Sequence, residues 1–230
     1  MSREITDRVG QPARTGVTGV VVVAHGGRSV STQPVTPAQL AVLRMVPVAR
    51  AIRQALHGTG VMVCRPRYRL RGWNGDQASP VPDLRAVLDQ IGTQFTGIPV
   101  VLIGHSMGAR AALRVAGHPA VTAAAGLAPW LPPGEPVTQL AGRRVLLAHG
   151  TADRITSPAD TWLYAEQARL VTDVTAIEVR GGEHAMLRRV QLWHRIAGDF
   201  CRESFGMATG AELAAVAFRQ AAGDQHRTVL

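Results

Sequence analysis

The sequence predicts an α/β protein, with a mostly parallel central sheet and helices on both of its faces. Three observations predict it. Apolar, β-branched runs recur along the chain, and they alternate with stretches of helical periodicity. Several of these runs end in turns rich in glycine, histidine and aspartate, at the sheet edge where such proteins place ligands.

Taken in order, the first strand is Val17–Ala24, and Pro37–Leu56 follows as a helix broken or kinked near Pro47, whose ring and missing N–H oppose helix continuation. Val61–Cys64 is the second strand. Asp83–Phe95 is the next helix, because Leu84, Val87, Leu88 and Ile91 recur at helical spacing. Strand Pro99–Ile103 then meets helix Met107–Ala116 across the three residues Gly104, His105 and Ser106. Strands Val121–Leu127, Arg143–Ala148 and Thr175–Val179 complete the set, with helices Pro158–Leu170 and Ala185–Phe200 between and after them. Residues 1–18 read as a flexible arm, 19–205 as the folded domain and 206–230 as a tail in which Ala211–Ala221 has helical character and the last residues are frayed.

A chain of 230 residues supports one substantial core, and 46% hydrophobic against 18% charged residues describes an ordinary globular protein. No apolar run reaches the roughly 18 to 20 residues of a spanning helix, so no membrane partner is expected. The first residues carry no apolar leader segment, which makes the cytoplasm the expected location. Cys64 and Cys201 define no disulfide framework and no metal-ligand spacing. The net charge of +9 raises the question of nucleic acid. All 25 basic residues are arginines, however, spread along the chain without interleaved aromatics, so none is expected as a partner.

Chemistry concentrates at Gly104-His105-Ser106-Met107-Gly108, between the strand PVVLI and the helix MGARAALRVA. A strand, a sharp turn and a helix are the context of a nucleophile elbow, in which the strained serine needs small neighbours two residues away on each side. GxSxG alone arises by chance in roughly seven of a hundred chains of this composition, so the partners decide. A serine hydroxyl needs a base, and the base needs a third group to orient it. The strand RRVLLA runs into His149-Gly150-Thr151-Ala152-Asp153, and TAIEV runs into Arg180-Gly181-Gly182-Glu183-His184. Asp153 and His184 thus fall on consecutive strand ends, after the serine, in the order Ser, Asp, His. The other histidines offer less: His105 lies inside the elbow and points away from the serine, and His149 merely ends its strand. For an oxyanion, the backbone N–H of Met107 and that of Gly27, in His25-Gly26-Gly27 after the first strand, are the expected donors, with Arg28 as the alternative to Gly27.

The segments AHGG, GHSMG, HGTAD and GGEHAM together resemble the α/β-hydrolase superfamily, especially its small bacterial carboxylesterases, thioesterases and monoacylglycerol-lipase-like enzymes, from about Gly19 to Ser204. The resemblance implies Ser106 as nucleophile, His184 as base and Asp153 as its orienting acid, in hydrolysis of a small-molecule ester or thioester without cofactor or metal. Where relatives insert a helical cap, this chain has only Ala128–Gly142, stiffened by Pro129, Pro132, Pro133 and Pro136. The site is therefore expected to be open or roofed by Trp130 and Leu131, with Trp73 and His105 as further candidate pocket residues. Rivals are C–C bond hydrolysis or perhydrolysis by the same triad, and a non-catalytic ligand-binding member of the fold.

Overall fold

The computed structural model describes residues 16–207 and 228–230. Strands β1 (Gly19–Ala24), β2 (Val61–Cys64), β3 (Val100–His105), β4 (Val121–Leu127), β5 (Arg144–Gly150), β6 (Val174–Val179) and β7 (Thr228–Val229) form one sheet in the order β2-β1-β3-β4-β5-β6-β7. Every strand pairing in it is parallel. The helices are α1 (Leu40–Ala55), α2 (Pro80–Gln94), α3 (Met107–Val115), α4 (Pro158–Arg169) and α5 (Val190–Ser204).

The two-residue period of a strand sorts β1 between two cores. Val20, Val22 and Ala24 pack with Leu84 and Leu88 of α2, Leu113 of α3 and Tyr164 of α4. Val21 and Val23 pack on the other face with Met45 and Ile52 of α1 and Trp193 and Ile196 of α5. Both faces of β1 and β3 are fully buried, which is why these strands read as unbroken apolar runs. From β1 the order runs one way to β2 and the other way to β3, so the switch point of the sheet lies between β1 and β3. The chain leaving their carboxyl ends parts there and opens a crevice.

Four elements differ from the sequence expectation. α1 continues through Pro47 without a break and begins at Leu40. α2 begins at Pro80, before the expected Asp83, because prolines in the first turn forfeit only N–H groups that have no helical partner. α5 begins at Val190, not at Ala185: the Glu183 carboxylate accepts the backbone N–H groups of Ala185, Leu187 and Arg188 and holds that segment as a turn, with Met186 and Arg189 at positive φ. The final residues, expected to be frayed, add β7 beside β6, and Leu230 exchanges backbone bonds with Glu178 and Arg180. A two-residue strand is too short to leave a periodic signature. Of the expected N-terminal arm, residues 1–15 lie outside the described residues, as does the expected helix Ala211–Ala221. Thr18 is already tied to the approach to β2 through Gly60 and Thr59. Among the described residues, no helix is long and apolar enough to cross a membrane.

Candidate active site

Ser106 stands between β3 and α3 with φ 55° and ψ −122°, a strained conformation for a residue bearing a side chain. The glycines on either side allow it. A Cβ on Gly104 would collide with the backbone of Gly108 and Ala109, and one on Gly108 with the carbonyls of Ala24 and His25. The elbow therefore presses directly against the end of β1. Its Ser106 carbonyl accepts from Ala109 and Arg110, starting α3, and from the N–H of Trp130 in the following connection.

His184 and Asp153 reach the serine from the two loops expected to carry them. His184 Nε2 lies 3.1 Å from Ser106 Oγ, and His184 Nδ1 lies 2.8 Å from Asp153 Oδ2. Because the carboxylate only accepts, Nδ1 carries the hydrogen and the Nε2 lone pair faces the hydroxyl. The two loops touch backbone to backbone. A Cβ on Gly150 would overlap Gly182, while Ala152 N–H donates to the Gly182 carbonyl and Gly181 N–H to Thr151 Oγ1.

The sequence reading missed how densely Asp153 is held. Its Oδ1 accepts from the N–H groups of Ile155 (2.8 Å) and Thr156 (3.0 Å). Its Oδ2 accepts from Thr156 Oγ1 (3.0 Å) and from His149 Nε2 (3.0 Å) in addition to His184. His149 is fully buried, and its Nδ1 lies 2.7 Å from Thr161 Oγ1. A tautomer with its hydrogen on Nε2 satisfies both contacts, since the threonine hydroxyl then donates to Nδ1. The available signal was a histidine closing a buried strand four residues before a candidate acid, a polar ring that must find a partner. Burial raises the proton affinity of the Asp153 carboxyl, but the hydrogen bonds from His149, His184, Thr156 and Ile155 outweigh it and hold the group well below the usual carboxylate range.

Two further histidines brace the backbone. His105 donates from Nε2 to the His184 carbonyl at 2.8 Å, with its ring 4.9 Å from the His184 ring. Burial, then the neighbouring His184, lowers its pKa to about 3. His25 donates from Nδ1 to the Gly26 carbonyl (2.7 Å) and accepts the Tyr68 N–H at Nε2 (3.4 Å). Burial is the main cause of its pKa of about 4.

Gly26 lies against the elbow, since a Cβ there would come within 3.3 Å of Ser106 Cβ, and Gly27 packs on the Met107 side chain. Met107 opens α3, so its N–H has no partner within the helix. Of the alternatives for the second donor, Arg28 N–H is committed to the Arg71 carbonyl at 2.9 Å, while Gly27 N–H has no internal acceptor among the described residues.

The candidate pocket residues differ in exposure. Trp73, Leu131 and His105 are buried, and only Trp130 is part-exposed. The Arg110 guanidinium lies between the Trp73 and Trp130 rings, 3.8 and 4.6 Å from their centroids. Arg110 and Arg114 both pair with Glu135 in the Ala128–Gly142 connection, at 2.7 and 2.6 Å, and the Tyr164 hydroxyl donates to the Pro136 carbonyl. Against the cost of burial, the bonds from Arg114 and Arg110 keep Glu135 below the usual carboxylate range. The connection is thus fastened to α3 by charge as well as stiffened by proline.

Among the described residues, no group of three or more His, Cys, Asp and Glu side chains is arranged to hold a metal ion. The sequence model of the alpha/beta hydrolase family matches residues 18–223. No curated protein matches the chain. Among solved structures, the chain is similar to Est1E from Butyrivibrio proteoclasticus, with TM-score 0.60 and 13% identity over 84% of this chain and 90% of that one. It is also similar to the monoacylglycerol lipase of Paleococcus ferrophilus, with TM-score 0.61 and 17% identity over 83% and 96%. A third similar structure is the esterase domain of a Rhodothermus marinus protein, with TM-score 0.59 and 19% identity over 84% and 90%. At these identities the likeness is one of fold.

Proposed function

The chain belongs to the alpha/beta hydrolase family, and on that premise we propose that it is a serine hydrolase cleaving carboxylic ester or thioester bonds of small to medium substrates through an acyl-enzyme. The observation that carries the reading is the unbroken line from Ser106 Oγ to His184 Nε2 (3.1 Å) and from His184 Nδ1 to Asp153 Oδ2 (2.8 Å). The esterase and lipase structures of similar fold support it.

Ser106 Oγ attacks the substrate carbonyl carbon as His184 Nε2 takes its proton. Asp153, an acceptor held ionised, faces the imidazolium that forms. The N–H groups of Met107 and Gly27 point at the carbonyl oxygen as it gains charge, with the start of α3 beneath it. His184 then gives its proton to the leaving alcohol or thiol, and water repeats the two steps on the acyl-serine. These steps call on no cofactor. His149 and Thr156 act through Asp153: their hydrogen bonds fix the carboxylate plane and hence the imidazole. His105 acts through the His184 backbone.

The test is covalent labelling by a fluorophosphonate, run beside a panel of p-nitrophenyl esters of rising chain length and matching acyl thioesters. Labelling and turnover by the parent chain, both lost in Ser106→Ala, are the expected result. A parent that neither labels nor turns over any member of the panel overturns the reading.

A further inference from the structure

Two helices begin at the edge of the sheet that carries Ser106. α1 follows β1 and α5 follows β6, and because every strand pairing is parallel, both start beside the carboxyl ends of the strands. A groove of about 260 Å³ runs between their first turns. Its walls are Leu40 and Leu43 of α1 and, facing them, Leu187 and Val190, while buried Trp193 closes the floor and Arg44 and His194 supply polar lining. Those four wall residues are four of the nine large apolar side chains that the described residues leave exposed, a concentration that marks a contact surface. The groove begins one residue beyond the proposed base: Ala185 lines it and follows His184, whose Nε2 lies 3.1 Å from Ser106 Oγ. One residue of chain, roughly 3.8 Å, and the length of an imidazole therefore separate it from the reacting atoms. Glu183 fixes this wall, since the N–H groups of Ala185, Leu187 and Arg188 that it accepts keep the segment out of α5. On the opposite face of the sheet, by contrast, Trp73 and Leu131 are buried in the core with α2 and α3.

The chemistry of the proposed reaction assigns this groove to one half of the ester. The carbonyl oxygen turns toward the N–H groups of Met107 and Gly27, whereas the leaving oxygen must face His184 Nε2, which gives it a proton as its bond to the acyl carbon breaks. The group borne by that oxygen therefore lies over His184, in the direction of Ala185. We propose that the groove holds the alkyl chain of the leaving alcohol or thiol, so that the protein selects esters of medium-chain alkyl alcohols; this rests on the reading of Ser106 as nucleophile. A methylene fills about the volume of a water molecule, roughly 30 Å³, so 260 Å³ takes about eight carbons. A second copy of the chain fits less well, because a two-fold contact through this surface would set Arg44 and the exposed Arg188 and Arg189 against their own like charges.

The experiment compares the acetates of ethanol, butanol, hexanol and octanol with the ethyl esters of the matching acids, each below its solubility limit. These alcohols differ in length and hardly in acidity, so the chemical step is held constant. A half-open groove removes about half of each methylene from water, so kcat/KM should rise about twofold per methylene, about sixtyfold from ethyl to octyl acetate. The acyl series should vary by less than about threefold. Leu43→Glu, which makes one wall polar, and Val190→Trp, which fills the groove, should each cut the octyl-to-ethyl ratio about tenfold, with circular dichroism confirming the fold. A second arm needs no turnover: saturation-transfer NMR should detect 1-octanol on the full-length Ser106→Ala protein and lose it when Leu43→Glu is added. A parent inactive on every ester removes the nucleophile reading and the leaving-group role with it, while the octanol arm still shows whether the groove takes an alkyl alcohol. A flat alcohol series in an active protein, an acyl series that rises as steeply, an unchanged ratio in the folded variants, or no octanol signal would each overturn the proposal. So would a dimer in light scattering that Leu43→Glu disperses, since a second copy would then fill the groove.

Discussion

Replacing His149 by leucine tests the least visible part of the candidate site. The change places an apolar side chain of similar size at the end of β5 and removes the donor to Asp153 and the acceptor for Thr161. A hydrogen bond to an ionised acceptor contributes about 1.5–3 kcal/mol. The Thr161 hydroxyl loses its 2.7 Å partner and falls back on the Ser157 carbonyl at 3.5 Å, which recovers only part of the loss. A total destabilisation of about 2–4 kcal/mol follows, read as a lower urea midpoint at unchanged slope. Asp153 keeps four donors, from His184, Thr156 and Ile155, so the triad loosens without dissolving. We expect kcat for a p-nitrophenyl ester to fall about tenfold, as when an outer partner of a functional histidine is lost. His149→Gln, whose amide can donate from nearly the same place, should restore most of both effects. A leucine variant within about 0.5 kcal/mol and twofold of the parent would show that the His149 contact does not support the site.

Other outcomes follow from the same geometry. Asp153→Asn should lower turnover about a thousandfold or more in steady-state assays, since an amide favours the wrong His184 tautomer. Glu135→Ala leaves the part-buried Arg110 packed against two indoles without its buried counter-charge and should cost about 3 kcal/mol in urea unfolding, while Glu135→Gln should cost less. Stability should decline as pH falls from about 6.5 toward 4, because His25 takes up a proton at its ordinary value when unfolded but only near 4 when folded. That difference removes about 3 kcal/mol across the window, and a thermal midpoint flat from pH 7 to about 4.5 would contradict it. With the Ala128–Gly142 segment clamped to α3 by Glu135, the proposed esterase should follow simple saturation kinetics on dissolved esters. A jump in rate as a triglyceride passes into emulsion would show a mobile lid elsewhere.

What could be read from the sequence was whatever the backbone itself imposes. The elbow was legible because a serine forced to positive φ needs Gly104 and Gly108, and because strand and helix must flank it. The loops of Asp153 and His184 were legible because strand ends in a parallel sheet share one edge. Each expectation depends on a few adjacent residues and a period. The start of α5 was not legible, since it depends on Glu183 capturing three N–H groups of its own turn in preference to solvent. Nor was β7, whose two residues have meaning only against β6.

The surroundings of the site escaped for a related reason. Trp73 and Leu131 read as wall residues because large apolar side chains near a strand end suggest a pocket, yet such side chains bury themselves whenever the fold supplies a neighbour. Here the neighbour of Trp73 is Arg110, from a helix one strand away, and Arg110 is held in turn by Glu135. His149 belongs to the same class. It stands four residues from Asp153, but its second contact, Thr161, comes from the next helix and exists only once α4 has packed on β5 and β6. The order of the proposed triad was thus written locally, while the rigidity that order requires was written in pairs brought together by packing. A serine and a histidine 3.1 Å apart are effective only while the carboxylate behind them stays in plane. That plane is set by Ile155, Thr156 and His149, residues that no short motif names.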